Sequence, residues 1–140
     1  MGEMSDTGTT PGRYVKPGGR LCYVGSPALF LLSQACMVID QGLGTPYLVG
    51  SALHRRDYRD VDVRVIMQDD EFDRRFPGAH PQPMMDPLWS LLASSVSVWL
   101  SQASGLPVDF QVQSMTQAAR YDGIRIPLGV YPHVFAAAGG

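Results

Sequence analysis

The chain has 140 residues, 45% hydrophobic and 17% charged, with a formal net charge of −2. That is enough for one domain with a real core and too little for two ordinary ones, and it excludes a disordered chain and a strongly basic protein that coats nucleic acid. Two cysteines, Cys22 and Cys36, in no paired or CxxC spacing argue against a small disulfide scaffold and a zinc site and point to a reduced, cytoplasmic setting.

Residues 1–20 are rich in Gly, Thr, Pro and Ser without hydrophobic period, and are read as a flexible arm. They hold no basic stretch followed by an apolar one, so no secretory leader is expected. Ser26-Pro27 has the form of an N-cap followed by proline at the first helical position, opening a helix to about residue 41. Leu29, Leu32, Cys36 and Ile39 recur at three- and four-residue spacing and form its buried face, and Gly42 and Gly44 stop it. This most apolar stretch is broken by Ser33 and Gln34 and is too short to span a bilayer, so no membrane association is expected.

Pro46–Val49 reads as a short strand, 51–56 as a turn, and Asp60–Met67 as a strand of period two. Val61, Val63 and Val65 point one way, while Asp60, Asp62 and Arg64 point the other. Asp69–Phe76 reads as a short helix, acidic at its start and basic at its end, as the helix dipole favours. Three prolines make 77–85 a loop, and Asp86-Pro87 repeats the cap-plus-proline signal. The helix that follows, closed by Gly105, sets Trp89, Leu92, Val96 and Trp99 on one core-facing stripe. Pro107–Gln113 is a strand with Val108, Phe110 and Val112 on one face and Asp109, Gln111 and Gln113 on the other. No order is assigned after Arg120, and 131–140 reads as a flexible tail. The expected fold is α/β (α+β): a single domain over 21–130 whose small mixed sheet carries helices on its apolar face and acids on the other.

Two carboxylates on one strand face lie about 6–7 Å apart along the strand and repel each other. A fold accepts that most readily when a cation sits between them. With eight residues between Ser51 and Asp60, the chain turns at Gly50-Ser51, where backbone amides and a hydroxyl can hold phosphate. Six of the ten arginines, among them Arg55, Arg56 and Arg59, crowd into residues 55–75, and arginine suits bidentate contact with phosphate. Acids for a metal beside a phosphate cradle point to phosphoryl or nucleotidyl transfer. Each feature also has a plain structural account: solvent-facing acids, an ordinary turn, a solvated basic loop, and Arg64 as a partner for Asp62. His54, His80 and His133 make no metal-ligand pattern, and Asp69, Asp70, Glu71 and Asp73 read as a solvated helix start.

Gly50-Ser51, Asp60-Val61-Asp62 and the later strand acid Asp109 resemble the signature of the DNA polymerase β-like nucleotidyltransferase superfamily, in particular its minimal single-domain members. The stretches VGSALHRRDYRDVDVRVIM and VDFQVQSMTQAAR with a following IPLG are similar to nucleotidyltransferases of actinobacterial phages, over about residues 25–130. The resemblance implies transfer of an NMP from an NTP to a protein, RNA or small-molecule acceptor in a host cytoplasm. It implies two Mg²⁺ ions, replaceable by Mn²⁺, held by Asp60, Asp62 and Asp109, with Asp109 also a general base. Gly50, Ser51, Arg55, Arg56 and Arg59 would bind the nucleotide. The chain departs from the family in having Arg59 where a small residue often precedes the first Asp, and Ala52–Arg56 where an Arg-Gly often follows Gly-Ser. Its size leaves no room for a second, acceptor-reading domain. The alternative is a fold kept for nucleotide binding or protein interaction without turnover, as a phage–host or toxin–antitoxin partner or a homo-oligomer.

Overall fold

The computed structural model describes residues 22–129. The expected arm at 1–20 and tail at 131–140 lie outside these residues. In chain order the described elements are helix α1 (Ala28–Gly42), strand β1 (Pro46–Val49), a 3₁₀ turn (Gly50–Leu53), β2 (Val61–Met67), α2 (Asp69–Arg75), a second 3₁₀ turn (Pro83–Met85), α3 (Pro87–Ser104), β3 (Val108–Ser114), α4 (Met115–Ala118) and β4 (Ile126–Pro127). They form a mixed α/β fold around one four-stranded sheet of order β3-β2-β1-β4.

β1 and β2 are antiparallel, with Val49 opposite Asp62 and Tyr47 opposite Arg64. β2 and β3 are parallel, pairing Asp62 with Asp109, Arg64 with Gln111 and Ile66 with Gln113. The period-two pattern therefore decides both faces of the sheet. Leu48, Val61, Val63, Val65, Val108, Phe110 and Val112 are all buried, with Leu32, Cys36, Ile39, Trp89 and Leu100 of α1 and α3 in the same core. Cys36 is a free thiol there, its pKa pushed up to about 12 by burial, which keeps it protonated and unreactive. No helix among the described residues is long and apolar enough to cross a membrane.

The two ends of α3 are set by local chemistry. Asp86 Oδ1 accepts from the amides of Leu88 (2.9 Å) and Trp89 (3.1 Å), and Oδ2 accepts from Gly78 (2.8 Å). Gly105 closes the helix in the left-handed region at φ 78°. These hydrogen bonds, that of Trp89 first, hold the Asp86 carboxyl below its ordinary 3.8. The ionised form is thus favoured by folding, and its contribution is present above pH 3.8 and lost as pH falls through the depressed pKa. Asp86→Ala is expected to lower the Tm by several degrees at pH 7, and the gap to wild type should shrink in thermal melts run toward the acid limit.

β3 is an edge strand, and α3 covers its free edge. Ser97 Oγ accepts from the Phe110 amide (2.8 Å), Ser101 Oγ accepts from Val108 (2.9 Å), and Trp89 Nε1 donates to the Val112 carbonyl (2.9 Å). An unpaired strand edge invites association with other chains, and these side chains close it.

Several expectations need correcting. Trp99 does not join the core stripe and is 40% exposed, because Leu100 (fully buried) continues the four-residue spacing from Leu92 and Val96. Ser26 does not cap α1. Pro27, at φ −85° and ψ −6°, already has helical geometry and takes the cap position, and the Leu29 amide is met by the Gly25 carbonyl instead. Asp60 precedes β2 instead of beginning it. The four-residue α4 and two-residue β4, which lies against β1 through Leu48 and Ile126, were not expected.

Candidate functional site

The sheet face opposite α1 and α3 carries the polar row foreseen from the sequence. At the end of β1 the extended Val49 gives way to Gly50 at φ +83°, and the following turn closes by hydrogen bonds from the His54 (3.0 Å) and Arg55 (2.8 Å) amides to the Ser51 carbonyl. Buried Ala52 and Leu53 pin that turn to the core. Because Val49 lies opposite Asp62 in register, Gly50 comes directly against the Asp62 carboxylate, and a Cβ at position 50 would collide with Asp62 Oδ2. Glycine is therefore required twice, by conformation and by space. Gly50→Ala is expected to cost about 1–2 kcal/mol from the left-handed backbone alone. It should also displace Asp62, so the loss measured in chemical denaturation should exceed the backbone cost alone.

Asp62 and Asp109 are register neighbours on this face, and Arg64 sits between them. The Arg64 side chain is only 12% exposed. Its Nη2 lies 3.3 Å from Asp109 Oδ2 and 3.7 Å from Asp62 Oδ1, and its Nη1 donates to the carbonyls of Asp109 (2.6 Å) and Val63 (3.1 Å). The pairing expected with Asp62 is thus shared, and the contact with Asp109 is the shorter. Burial pushes the Asp62 carboxyl above its ordinary 3.8, against the pull of Arg64 and with the help of the Asp109 and Asp60 charges. Asp60 is exposed, just outside the strand.

The structure treats the predicted phosphate ligands unequally. Gly50 lines a cleft of about 490 Å³ together with Asp62 and Arg64, whereas Ser51 stands beside it with a half-buried hydroxyl that has no hydrogen-bond partner among the described residues. Arg55 is turned to its own loop, gripping Asp57 through Nε–Oδ1 and Nη2–Oδ2 contacts of 3.1 Å each. Arg56 and Arg59 are exposed, and none of the three arginines lines the cleft. Its cations are Arg64 and Arg125, the latter donating to the Ala118 carbonyl at 3.3 Å. His54 lines the cleft as well. Gln111, Gln113, Tyr121 and Arg125, to which the sequence patterns assign no function, line it too. For the glutamines the signal was available, since both alternate in phase with Asp109.

No group of three His, Cys, Asp or Glu side chains among the described residues gathers closely enough to hold a metal ion. Asp62 and Asp109 nevertheless fit the donor set that Mg²⁺ takes when it brings its own remaining ligands: one or two carboxylates, with phosphate oxygens and water completing the octahedron. Their charge is partly offset by Arg64, which stands between them in this arrangement, so holding a cation there would require the guanidinium to withdraw.

No protein-family model matches the chain, and no match is found among curated proteins or solved structures.

Proposed function

We propose that the protein is a Mg²⁺-dependent nucleotidyltransferase moving an NMP from an NTP to an acceptor hydroxyl. The observation that carries this reading is that Asp62, paired in register with Asp109, meets the close-packed Gly50 at the wall of a cleft. It supports the resemblance drawn from Gly-Ser, Asp-x-Asp and a third strand acid. In such a reaction the acceptor oxygen bonds to the α-phosphorus as the bond to pyrophosphate breaks, and the hydroxyl proton goes to a base. Asp109, with a side chain 44% exposed, is the carboxylate open enough to reach an incoming acceptor and take that proton. Asp62, more enclosed at 25%, holds its charge close to the phosphates. The turn at Gly50 allows phosphate to approach the backbone, and the free Ser51 hydroxyl supplies a donor. Mg²⁺, held by Asp62 and Asp109, would neutralise the phosphate charge there.

The test is labelled NTP with Mg²⁺, offered protein, RNA and small hydroxyl acceptors. Mg²⁺-dependent transfer that disappears in Asp62→Ala supports the proposal. Absence of transfer together with absence of Mg²⁺-dependent NTP binding overturns it. A second reading, a nucleotide-binding or interaction module without turnover, is favoured by one observation: Arg64 already stands between the two acids and offsets part of their charge. NTP binding without transfer to any acceptor would favour that module.

A further inference from the structure

Gln113 is only 8% exposed, yet its side-chain amide makes no hydrogen bond among the described residues. A carboxamide carries two N–H donors and a carbonyl acceptor, and native folds leave few such groups buried without a partner. It lines the same cleft as Asp62 and Gly50. Gln111, two residues earlier on the same face of β3 and opposite Arg64, is likewise unpartnered and lines the cleft beside it. The cleft thus runs from the carboxylate of Asp62 on β2 to the neutral amides of Gln111 and Gln113 on β3, which lie some 7 and 13 Å along the strand from Asp109, the register partner of Asp62. Tyr121 and Ile124 border the same space.

From this arrangement we infer that the amide end of the cleft is a nucleobase subsite, in which Gln113, with Gln111 beside it, reads the base edge of the bound nucleotide. The inference rests on the nucleotide reading proposed above and extends it from the phosphates to the base. A neutral amide is a poor choice for an anion, which needs donors alone. It matches a base edge, where a donor and an acceptor stand side by side, and glutamine makes such paired contacts with bases. The amide can rotate to meet either order of donor and acceptor, so Gln113 recognises the presence of a base edge more than its identity. The flat ring of Tyr121 is available to lie against the base.

The test is titration calorimetry in Mg²⁺ with each of the four NTPs and with inorganic tripolyphosphate, which has the charges and no base. Wild type is expected to bind at least one NTP more tightly than tripolyphosphate. Gln113→Leu should weaken that NTP about 5- to 150-fold, the range for loss of a paired base contact, while tripolyphosphate affinity holds. Its Tm should match or exceed that of wild type, because leucine removes an unsatisfied amide. Gln113→Met, similar in length and more adaptable, guards against a packing defect and should lose the same preference. If the preference for NTP over tripolyphosphate survives in either folded variant, or if wild type binds the two equally, the base subsite is overturned and the phosphate reading stands. If wild type binds neither, both fall.

Discussion

Asparagine in place of Asp62 is expected to lower kcat/KM for the proposed nucleotidyl transfer about a thousandfold or more, some 4 kcal/mol, while leaving the fold as stable at pH 7 as before or more so. The two effects have one cause. Asp62 is a carboxylate that folding removes from water, close to Asp109 and Asp60 and only partly compensated by Arg64, so its pKa is raised. A raised acid pKa means that the folded state binds the proton more tightly than the unfolded chain does. Wild type therefore gives up stability as pH rises from 3.8 through the raised value. Asp62→Asn has no such cost. Its Tm should track wild type in acid and run level with it or above it near neutrality, in melts at a series of pH values. A residue kept at the expense of stability and indispensable for turnover is the mark of a functional carboxylate. An asparagine variant that is less stable than wild type at pH 7 would mean instead that Asp62 serves the fold through its ion pair with Arg64.

What could be read from the sequence follows from how many residues share a pattern. The alternation of valines with Asp62 and Arg64 runs the length of β2, and the same period in β3 puts Asp109 on the matching face. Once the strands pair in parallel, the acids must be neighbours. Both ends of α3 carried their own chemistry, Asp86-Pro87 at one end and Gly105 at the other. The elements that escaped were too short for any period, α4 with four residues and β4 with two. Asp60 was assigned to the strand face by extending the alternation one step past the strand's true start. Trp99 was put in the core because hydrophobicity cannot separate it from Leu100 one position on. The burial of Gln113 breaks the alternation of β3, and the cleft it lines is completed by Gln117, Ala118 and residues 121–125, a stretch without a sequence period. The arginine-rich loop has a local feature that composition does not reveal: Asp57, two residues from Arg55, pairs with it.

Arg64 is where the two functional readings part. Arg64→Met keeps much of the buried stem and removes the charge that lies between Asp62 and Asp109. It also removes the donor to the Asp109 carbonyl. Without divalent cations the variant is expected to be destabilised by about 1–3 kcal/mol, since two neighbouring carboxylates lose their common partner. Mg²⁺ should then recover a good part of the loss. An ion at ten times its Kd contributes about 1.4 kcal/mol to the state that binds it, and the variant no longer needs a guanidinium moved aside to accept it. Wild type should show the smaller shift in thermal melts with added MgCl₂. Nucleotide binding then decides the matter. If Arg64→Met still binds NTP, and only with Mg²⁺, the acids are cation ligands and the arginine was holding their place. If it binds no NTP with or without the ion, the guanidinium itself is the phosphate ligand, Asp62 and Asp109 exist to position it, and the module without turnover is the better description.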